Sequence, residues 1–400
     1  MTPETTQERK MKIAQRMAQV SPSATLKLTS KAKEMKAKGH PVIGFGAGEP
    51  DFDTPQAVKD EAVRCLQGGF TKYTPTSGIP ELREAVCRKF AEDQGLQYAP
   101  ENVVISCGAK HSLYNLIQVL CDPGDEVLFG SPYWVSYPEM VYLAGGRPVP
   151  VKTEQSEGFR LTAAALRAAL TPKSKIVILN SPSNPTGGIL EEADLKALAQ
   201  VIIERDLICI TDEIYEYYLY AGKKHVSIAS LGEEVRKRTF VVNGTSKSYS
   251  MTGLRIGYLA GDAEVVKKIG ILQDHSTSNP TSISQKMAVA ALGLPRSYRE
   301  GVRAIFEKRS HLMTGLLSKV AGFKPFIPQG AFYVFCDING TGLGSETLCD
   351  RLLDEIHVAV IPGKSFGSDR HVRFSFAASE KDIEEGVQRI LAWTEKGMKK

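Results

Sequence analysis

Long apolar runs are missing: no stretch of the 400 residues approaches the roughly 18 to 20 apolar residues of a membrane span. Residues 1–20 mix Glu4, Glu8, Arg9, Lys10, Lys12 and Arg16 with polar neighbours and hold no apolar core of the kind a secretory signal needs. Cysteine is sparse and unpatterned. Cys65, Cys87, Cys107, Cys121, Cys209, Cys336 and Cys349 are an odd number, with no C-x-x-C pair and no spacing shared with histidine, so core thiols in a reducing, cytoplasmic compartment are expected. A dominant charge is lacking too. Fifty Lys+Arg stand against 45 Asp+Glu, and the formal charge of +5 is spread along the chain, giving no electrostatic case for nucleic acid or membrane. The seven histidines never fall at i, i+4 with a glutamate between, which argues against a zinc hydrolase and a bound metal.

What is present is an ordinary globular composition, 42% hydrophobic, 8% aromatic and 24% charged. At this length about two or three domains are expected, burying about three quarters of the unfolded surface. Short β-branched runs alternate with longer amphipathic segments: 103–105, 126–129, 176–179, 207–210, 240–242 and 256–259. This is the α/β signature of a mostly parallel sheet covered by helices on both faces. Leu113, Leu116, Ile117 and Leu120 at i, i+3, i+4, i+7 predict a helix directly after Gly108. From about Tyr298 the order changes to a long helix reaching about Lys319, strands at 332–335, 358–360 and 371–374, a helix near 346–355 and a last helix from about Ser379, which predicts a smaller α+β domain. No low-complexity linker separates the two, so they should pack together around a cleft.

Two familiar motifs fail. Gly44-Phe45-Gly46-Ala47-Gly48 begins like a dinucleotide fingerprint, but Glu49 takes the last glycine position and Pro50-Asp51 replaces a helix. Gly363-Lys364-Ser365 resembles the end of a phosphate-binding loop, yet Val358 stands where its first glycine belongs.

The segment 244–257, Gly-Thr-Ser-Lys-Ser-Tyr-Ser-Met-Thr-Gly-Leu-Arg-Ile-Gly, places Lys247 among small residues after a strand, with Arg255 eight positions on. Burial and neighbouring cations favour the unprotonated amine a Schiff base requires, and small neighbours admit a flat ring. By itself such a lysine is usually a surface residue. Asp212, however, closes an apolar strand at its carboxyl end, where a buried carboxylate needs a cation and a protonated pyridine nitrogen would be one. Asp212 would otherwise serve as a helix cap. Residues 180–188, Asn-Ser-Pro-Ser-Asn-Pro-Thr-Gly-Gly, form a turn-rich loop after another strand, and Cys107-Gly108-Ala109-Lys110 joins a strand to a helix whose free N–H groups suit a phosphate.

Taken with residues 47–52 (Ala-Gly-Glu-Pro-Asp-Phe), 131–134 (Ser-Pro-Tyr-Trp), 184–187 (Asn-Pro-Thr-Gly) and 212–215 (Asp-Glu-Ile-Tyr), the lysine segment resembles the class I/II pyridoxal-phosphate aminotransferases of fold type I over nearly the whole chain. Residues 22–25 (Pro-Ser-Ala-Thr), 72–75 (Lys-Tyr-Thr-Pro) and 251–255 (Met-Thr-Gly-Leu-Arg) are most similar to the aspartate aminotransferases of subgroup Ib, or gamma. The resemblance implies a large domain over 50–300 with a seven-stranded sheet, and a small α+β domain from 1–49 with 301–400. It implies pyridoxal 5′-phosphate held as a Schiff base on Lys247, with Lys247, Asp212 and Tyr215 catalytic. Asn184 and Tyr215 would meet the ring's phenolate, and Trp134 its face. Gly108, Ala109, Lys110, Ser246 and Arg255 would hold the phosphate, with Tyr73 from the second subunit of a homodimer. Arg373, Asn184, Gly48 and Trp134 would bind the substrate α-carboxylate, and Lys110 with Thr25 its distal carboxylate.

The implied reaction is ping-pong transfer of the amino group of L-aspartate to 2-oxoglutarate. Members that also use prephenate tend to carry a lysine before the Pro-Ser-Ala-Thr segment, where this chain has Ser21. Aromatic or alanine aminotransferases, β-lyases and ring-forming synthases would keep Lys247, Asp212, Tyr215 and Arg373 and differ at Thr25 and Lys110. A regulator that senses the cofactor would need a DNA-binding domain ahead of Pro22, where about 20 residues stand.

Overall fold

The computed structural model describes residues 11–22 and 24–397, with only the backbone described at 24–27. In chain order the strands are β1 (Ile43–Gly44), β2 (Val103–Ser106), β3 (Glu126–Ser131), β4 (Arg147–Lys152), β5 (Ser174–Asn180), β6 (Ile208–Asp212), β7 (Thr239–Gly244), β8 (Gly257–Ala260), β9 (Lys324–Pro325), β10 (Tyr333–Asp337), β11 (Val358–Ala359), β12 (Ile361–Pro362) and β13 (His371–Ser375). Strands β2 to β8 form a seven-stranded sheet in the order β2-β8-β7-β6-β5-β3-β4. It is parallel from β4 through to β7.

The exception is β8, antiparallel to both β7 and β2. Parallel neighbours need a helical crossover, whereas residues 245–256 carry only the short turn of 3₁₀ helix Thr252–Leu254. That connection, which returns the chain at once to the sheet, is the segment carrying Lys247. Along the strands, apolar side chains alternate between faces. Val104, Ile210, Val242 and Leu259 pack under the helix Ala109–Leu120 with Leu113, Leu116 and Ile117, while Val103, Ile105, Val241 and Tyr258 pack on the other side with Phe90 and Met287. Both faces are covered, as a sheet of continuous apolar strands requires.

A second sheet, β12-β13-β10-β9, is antiparallel throughout. The helices Arg296–Leu317 and Glu380–Glu395 bury Phe306, Met313, Ile383, Val387 and Ile390 against it. The first of these begins after Pro295, whose fixed φ suits a helix entry, slightly earlier than the expected Tyr298. The second is capped by Ser379, whose hydroxyl accepts the Asp382 N–H at 3.1 Å. β1 pairs in parallel with β11, so residues near the start of the chain pack with its final third. The seven cysteines are all free thiols. Among the described residues no helix is long and apolar enough to cross a membrane.

Candidate active site

Because β2 and β7 each run antiparallel to β8, they are parallel to each other, and Ser106 and Gly244 both pair with Gly257. Asn180 pairs with Asp212 on the neighbouring strands. The carboxyl ends of β2, β5, β6 and β7 therefore lie side by side, and the loops that leave them converge on one edge of the sheet, the edge where α/β proteins bind ligands.

Asp212 ends β6 and is 5% exposed. Its Oδ2 accepts the Tyr137 hydroxyl at 2.8 Å and its Oδ1 the Ile214 N–H at 3.4 Å. Among the described residues no cation bonds the carboxylate, and burial pushes its pKa up to about 6 despite the Tyr137 bond. Asn180 fixes the surrounding loops: its Nδ2 donates to the Asp212 carbonyl at 2.9 Å, and its Oδ1 accepts the Asn184 N–H at 2.9 Å.

Lys247 lies within electrostatic reach of Asp212. Its Nζ donates to the carbonyl of Gly48 at 2.5 Å, and the Tyr218 hydroxyl holds its backbone carbonyl at 2.7 Å. Burial brings its pKa down to about 8; Arg255 and Arg373 press the same way, while Glu49 and Asp212 oppose them. A fraction of the amine is then neutral and nucleophilic near neutral pH. Beside it, Gly108 caps the helix Ala109–Leu120 with φ of 92°. A Cβ there would stand 2.4 Å from Arg255 Nη2, and a Cβ on Gly257 would stand 2.1 Å from the Ala109 nitrogen. The two glycines let the strand edge, the Arg255 guanidinium and the free N–H groups of the helix start crowd together into a cradle for an anion. Arg255 Nη1 and Nη2 are held by the carbonyls of Thr252, at 2.8 Å, and Cys107, at 3.2 Å. Ser246 is buried next to Lys247.

Arg373 comes from β13 and is 3% exposed. Its Nη1 donates to Asn184 Oδ1 and its Nη2 to the Gly46 carbonyl, each at 2.9 Å. Its Nε is buried without a partner among the described residues, and burial lowers its pKa. The guanidinium lies 4.3 Å from the ring centre of Tyr333 and 5.1 Å from that of Phe366. The Tyr333 hydroxyl is 2.9 Å from that of Tyr215. Lys110 Nζ sits 5.0 Å over the Trp134 ring, and burial lowers its pKa, with Arg255 adding to the effect.

Most of the residues singled out in the sequence thus meet at one sheet edge. Two others are not placed there: Tyr73 is 90% exposed, and the side chain of Thr25 lies outside the described residues. Two others were missed. Tyr137 follows Trp134 by one helical turn, a spacing that could have drawn attention to it. Tyr333 sits inside the apolar run Phe332-Tyr333-Val334-Phe335 and reads there as core.

The sequence pattern of the family described as aminotransferase class I and II matches residues 40–390. An aspartate aminotransferase of Geobacillus stearothermophilus is 49% identical over 390 residues, which are 96% of this chain and 99% of that protein. One from Bacillus subtilis is 46% identical over 391 residues, 96% of this chain and 100% of that protein. The structure of the Thermus thermophilus aspartate aminotransferase with maleate superposes with a TM-score of 0.92 at 41% identity, covering 96% of this chain and 100% of that one. Sequence pattern, relatives and fold agree with the geometry of the edge, and the chain belongs to the class I and II aminotransferases.

Proposed function

We propose that this transaminase moves the amino group of L-aspartate to 2-oxoglutarate, giving oxaloacetate and L-glutamate, with pyridoxal 5′-phosphate as its cofactor. One observation carries the reading: Asp212, a buried carboxylate that no cation bonds among the described residues, lies within electrostatic reach of Lys247, an amine with depressed proton affinity. The remaining residues fit the group as well. The cradle at Gly108, Ala109, Ser246 and Arg255 suits a phosphate, and the orphaned Nε of buried Arg373 suits a carboxylate. When bound, the cofactor supplies an aldehyde for amines and a ring that withdraws electrons from the substrate's α-carbon.

In this reading Asp212 holds a proton on the ring nitrogen and so keeps the ring electron-poor. Asn184 and Tyr215 would hold the ring's phenolate oxygen, and Trp134 would cover its face. Arg373, oriented by Asn184 and the Gly46 carbonyl, grips the α-carboxylate and turns the α-hydrogen toward Lys247. Lys247 Nζ would take that proton from the α-carbon and hold it, a task suited to an amine whose pKa burial brings down to about 8. Lys110 would meet the second carboxylate of aspartate or glutamate, a role the sequence also gives to Thr25, whose side chain lies outside the described residues. The exposed Tyr73 reaches the phosphate of a second subunit in a cytoplasmic homodimer, and the chain divides into a large unit, 50–300, and a small one, 1–49 with 301–400. The maleate in the Thermus thermophilus protein, a four-carbon dicarboxylate, supports the choice of substrate class.

The test is a donor and acceptor panel containing aspartate, glutamate, alanine, phenylalanine, 2-oxoglutarate, oxaloacetate and prephenate. Aspartate with 2-oxoglutarate should give the highest kcat/KM. Lys247→Ala should lower turnover by more than about 10⁴-fold. Lys110→Ala should cost aspartate about tenfold and alanine little, since one charge-assisted bond is lost. Equal losses for both donors, or a preference for prephenate, would reject the assignment of specificity.

A further inference from the structure

Tyr333 opens β10, pairs with Ser375 and is fully buried. It touches three separate parts of the site. Its hydroxyl lies 2.9 Å from that of Tyr215. Its ring lies 4.3 Å from the Arg373 guanidinium. Its hydroxyl also stands 3.5 Å from where a Cβ on Gly48 would be, and Gly48 presents the carbonyl that receives Lys247 Nζ. A phenylalanine would fill the same space, so the hydroxyl calls for its own explanation. Among the described residues its hydrogen-bond partner is Tyr215, and two hydroxyls that share one bond leave one proton to be donated elsewhere.

We propose that Tyr333 is a positioning residue for transamination: by donating to Tyr215 it turns the Tyr215 proton toward the cofactor's ring oxygen, and its ring holds Arg373 for the substrate carboxylate. This rests on the roles given above to Tyr215 and Arg373. The physical basis is a chain of two hydroxyls ending on an anion. A donor whose oxygen itself accepts a bond is the stronger donor, so Tyr215 stabilises the phenolate more when Tyr333 donates to it. The guanidinium beside the ring is thereby restrained where its two hydrogen bonds, to Asn184 and the Gly46 carbonyl, leave it open. A single side chain of the C-terminal sheet thereby ties the ring-oxygen end of the site, built on the β6 loop, to the carboxylate end, built on β13.

The experiment follows the visible absorption band of the pyridoxal-phosphate-loaded protein against pH in the wild type, Tyr333→Phe, Tyr215→Phe and the double variant. Weakening the donor to the ring oxygen should raise the pH midpoint of the band, for Tyr333→Phe by about half a unit. Tyr215→Phe should raise it further, and the double variant should match Tyr215→Phe because the relay is already broken. Replacing Tyr333 by 3-fluorotyrosine, which acidifies the hydroxyl at nearly constant shape, should move the midpoint down. In kinetics Tyr333→Phe should lower kcat about threefold to tenfold with little change in KM for aspartate, while Tyr333→Leu should also raise KM by removing the ring under Arg373. An unmoved midpoint in Tyr333→Phe, or additive shifts in the double variant, would overturn the proposal while leaving the transaminase reading intact. A wild-type protein that develops no visible band with the cofactor would overturn both.

Discussion

Asp212 and Glu213 are consecutive, both almost fully buried, and opposite in every electrostatic respect. Successive residues at a strand end point to opposite faces, so one carboxylate enters the pocket and the other turns behind it. Behind the sheet Glu213 is saturated. Its Oε1 accepts Ser227 at 2.7 Å and Thr211 at 3.1 Å, and its Oε2 meets His225 Nε2 at 2.8 Å and Gln94 Nε2 at 2.9 Å. Neighbouring Glu216 is held by Lys89 at 2.6 Å. Burial alone would raise the pKa of Glu213, but His225 and the hydroxyl donors win and lower it; burial likewise works against the His225 imidazolium, and Glu213 wins and raises it. Asp212 is bonded by no such cation among the described residues and moves the other way. The difference separates two uses of buried charge. A pair completed within the chain stabilises the fold, whereas a carboxylate left incomplete marks where a ligand supplies the missing charge.

The sharpest way to break this contrast is to neutralise each acid in turn without changing its shape. Asp212→Asn should reduce turnover by about 10²- to 10³-fold, the scale of removing one fixed electrostatic contact with the reacting system, while the cofactor-free protein melts no lower than wild type. Glu213→Gln should do the reverse in kind. It leaves His225 facing an amide and should cost the cofactor-free protein about 3 kcal/mol, read from urea midpoints. If both variants lose the same stability, the two acids are equivalent and the contrast fails.

How much of this could be read from the chain follows the same division. Asp212, Lys247 and the Asn184 loop each follow an apolar run directly, so short-range pattern was enough to place them at strand ends. The antiparallel β8 was not legible, because a run such as Ile256-Gly257-Tyr258-Leu259 carries no direction; only the brevity of the connection from β7 reverses it. The Glu213 cluster was invisible for a different reason. Gln94 and Lys89 lie 119 and 127 positions from the acids they bond, and nothing local to either announces the contact. Tyr333 was hidden by its company, since a tyrosine between Phe332 and Val334 looks like core until its hydroxyl is seen to reach Tyr215.

The pH dependence of stability sharpens the contrast further. In the cofactor-free protein Asp212 takes up its proton at about pH 6, above its ordinary 3.8. The folded state therefore binds this proton more tightly than the unfolded one, and stability should fall as pH rises from about 4 to about 6, by about 3 kcal/mol. The Glu213 and His225 pair behaves otherwise. Glu213, lowered from 4.5, contributes above that value and loses its contribution as pH falls through its folded pKa. His225, raised from 6.5, contributes fully below that value and loses its contribution as pH rises through its folded pKa. Urea midpoints measured from pH 4 to pH 8 should show the acid-side decline in wild type and in Glu213→Gln but not in Asp212→Asn. Parallel curves for wild type and Asp212→Asn would refute it.

The smallest expected effect comes from Tyr137, which touches only one side of the comparison. Its hydroxyl donates to Asp212 Oδ2 at 2.8 Å and has no part in the Glu213 cluster. That bond lowers the pKa of Asp212 against the stronger effect of burial, so Tyr137→Phe should raise it, and the decline in stability should extend above pH 6. At neutral pH a larger share of the carboxyl is then protonated before the cofactor arrives, and pyridoxal phosphate affinity should drop about fivefold, equivalent to about 1 kcal/mol, the net worth of one hydrogen bond. The His225 titration, followed by its ring proton resonances, should not move. A shift of His225 in Tyr137→Phe would mean that the two buried acids share one electrostatic network, and that their opposite behaviour arises from coupling across β6 rather than from the partners each one has.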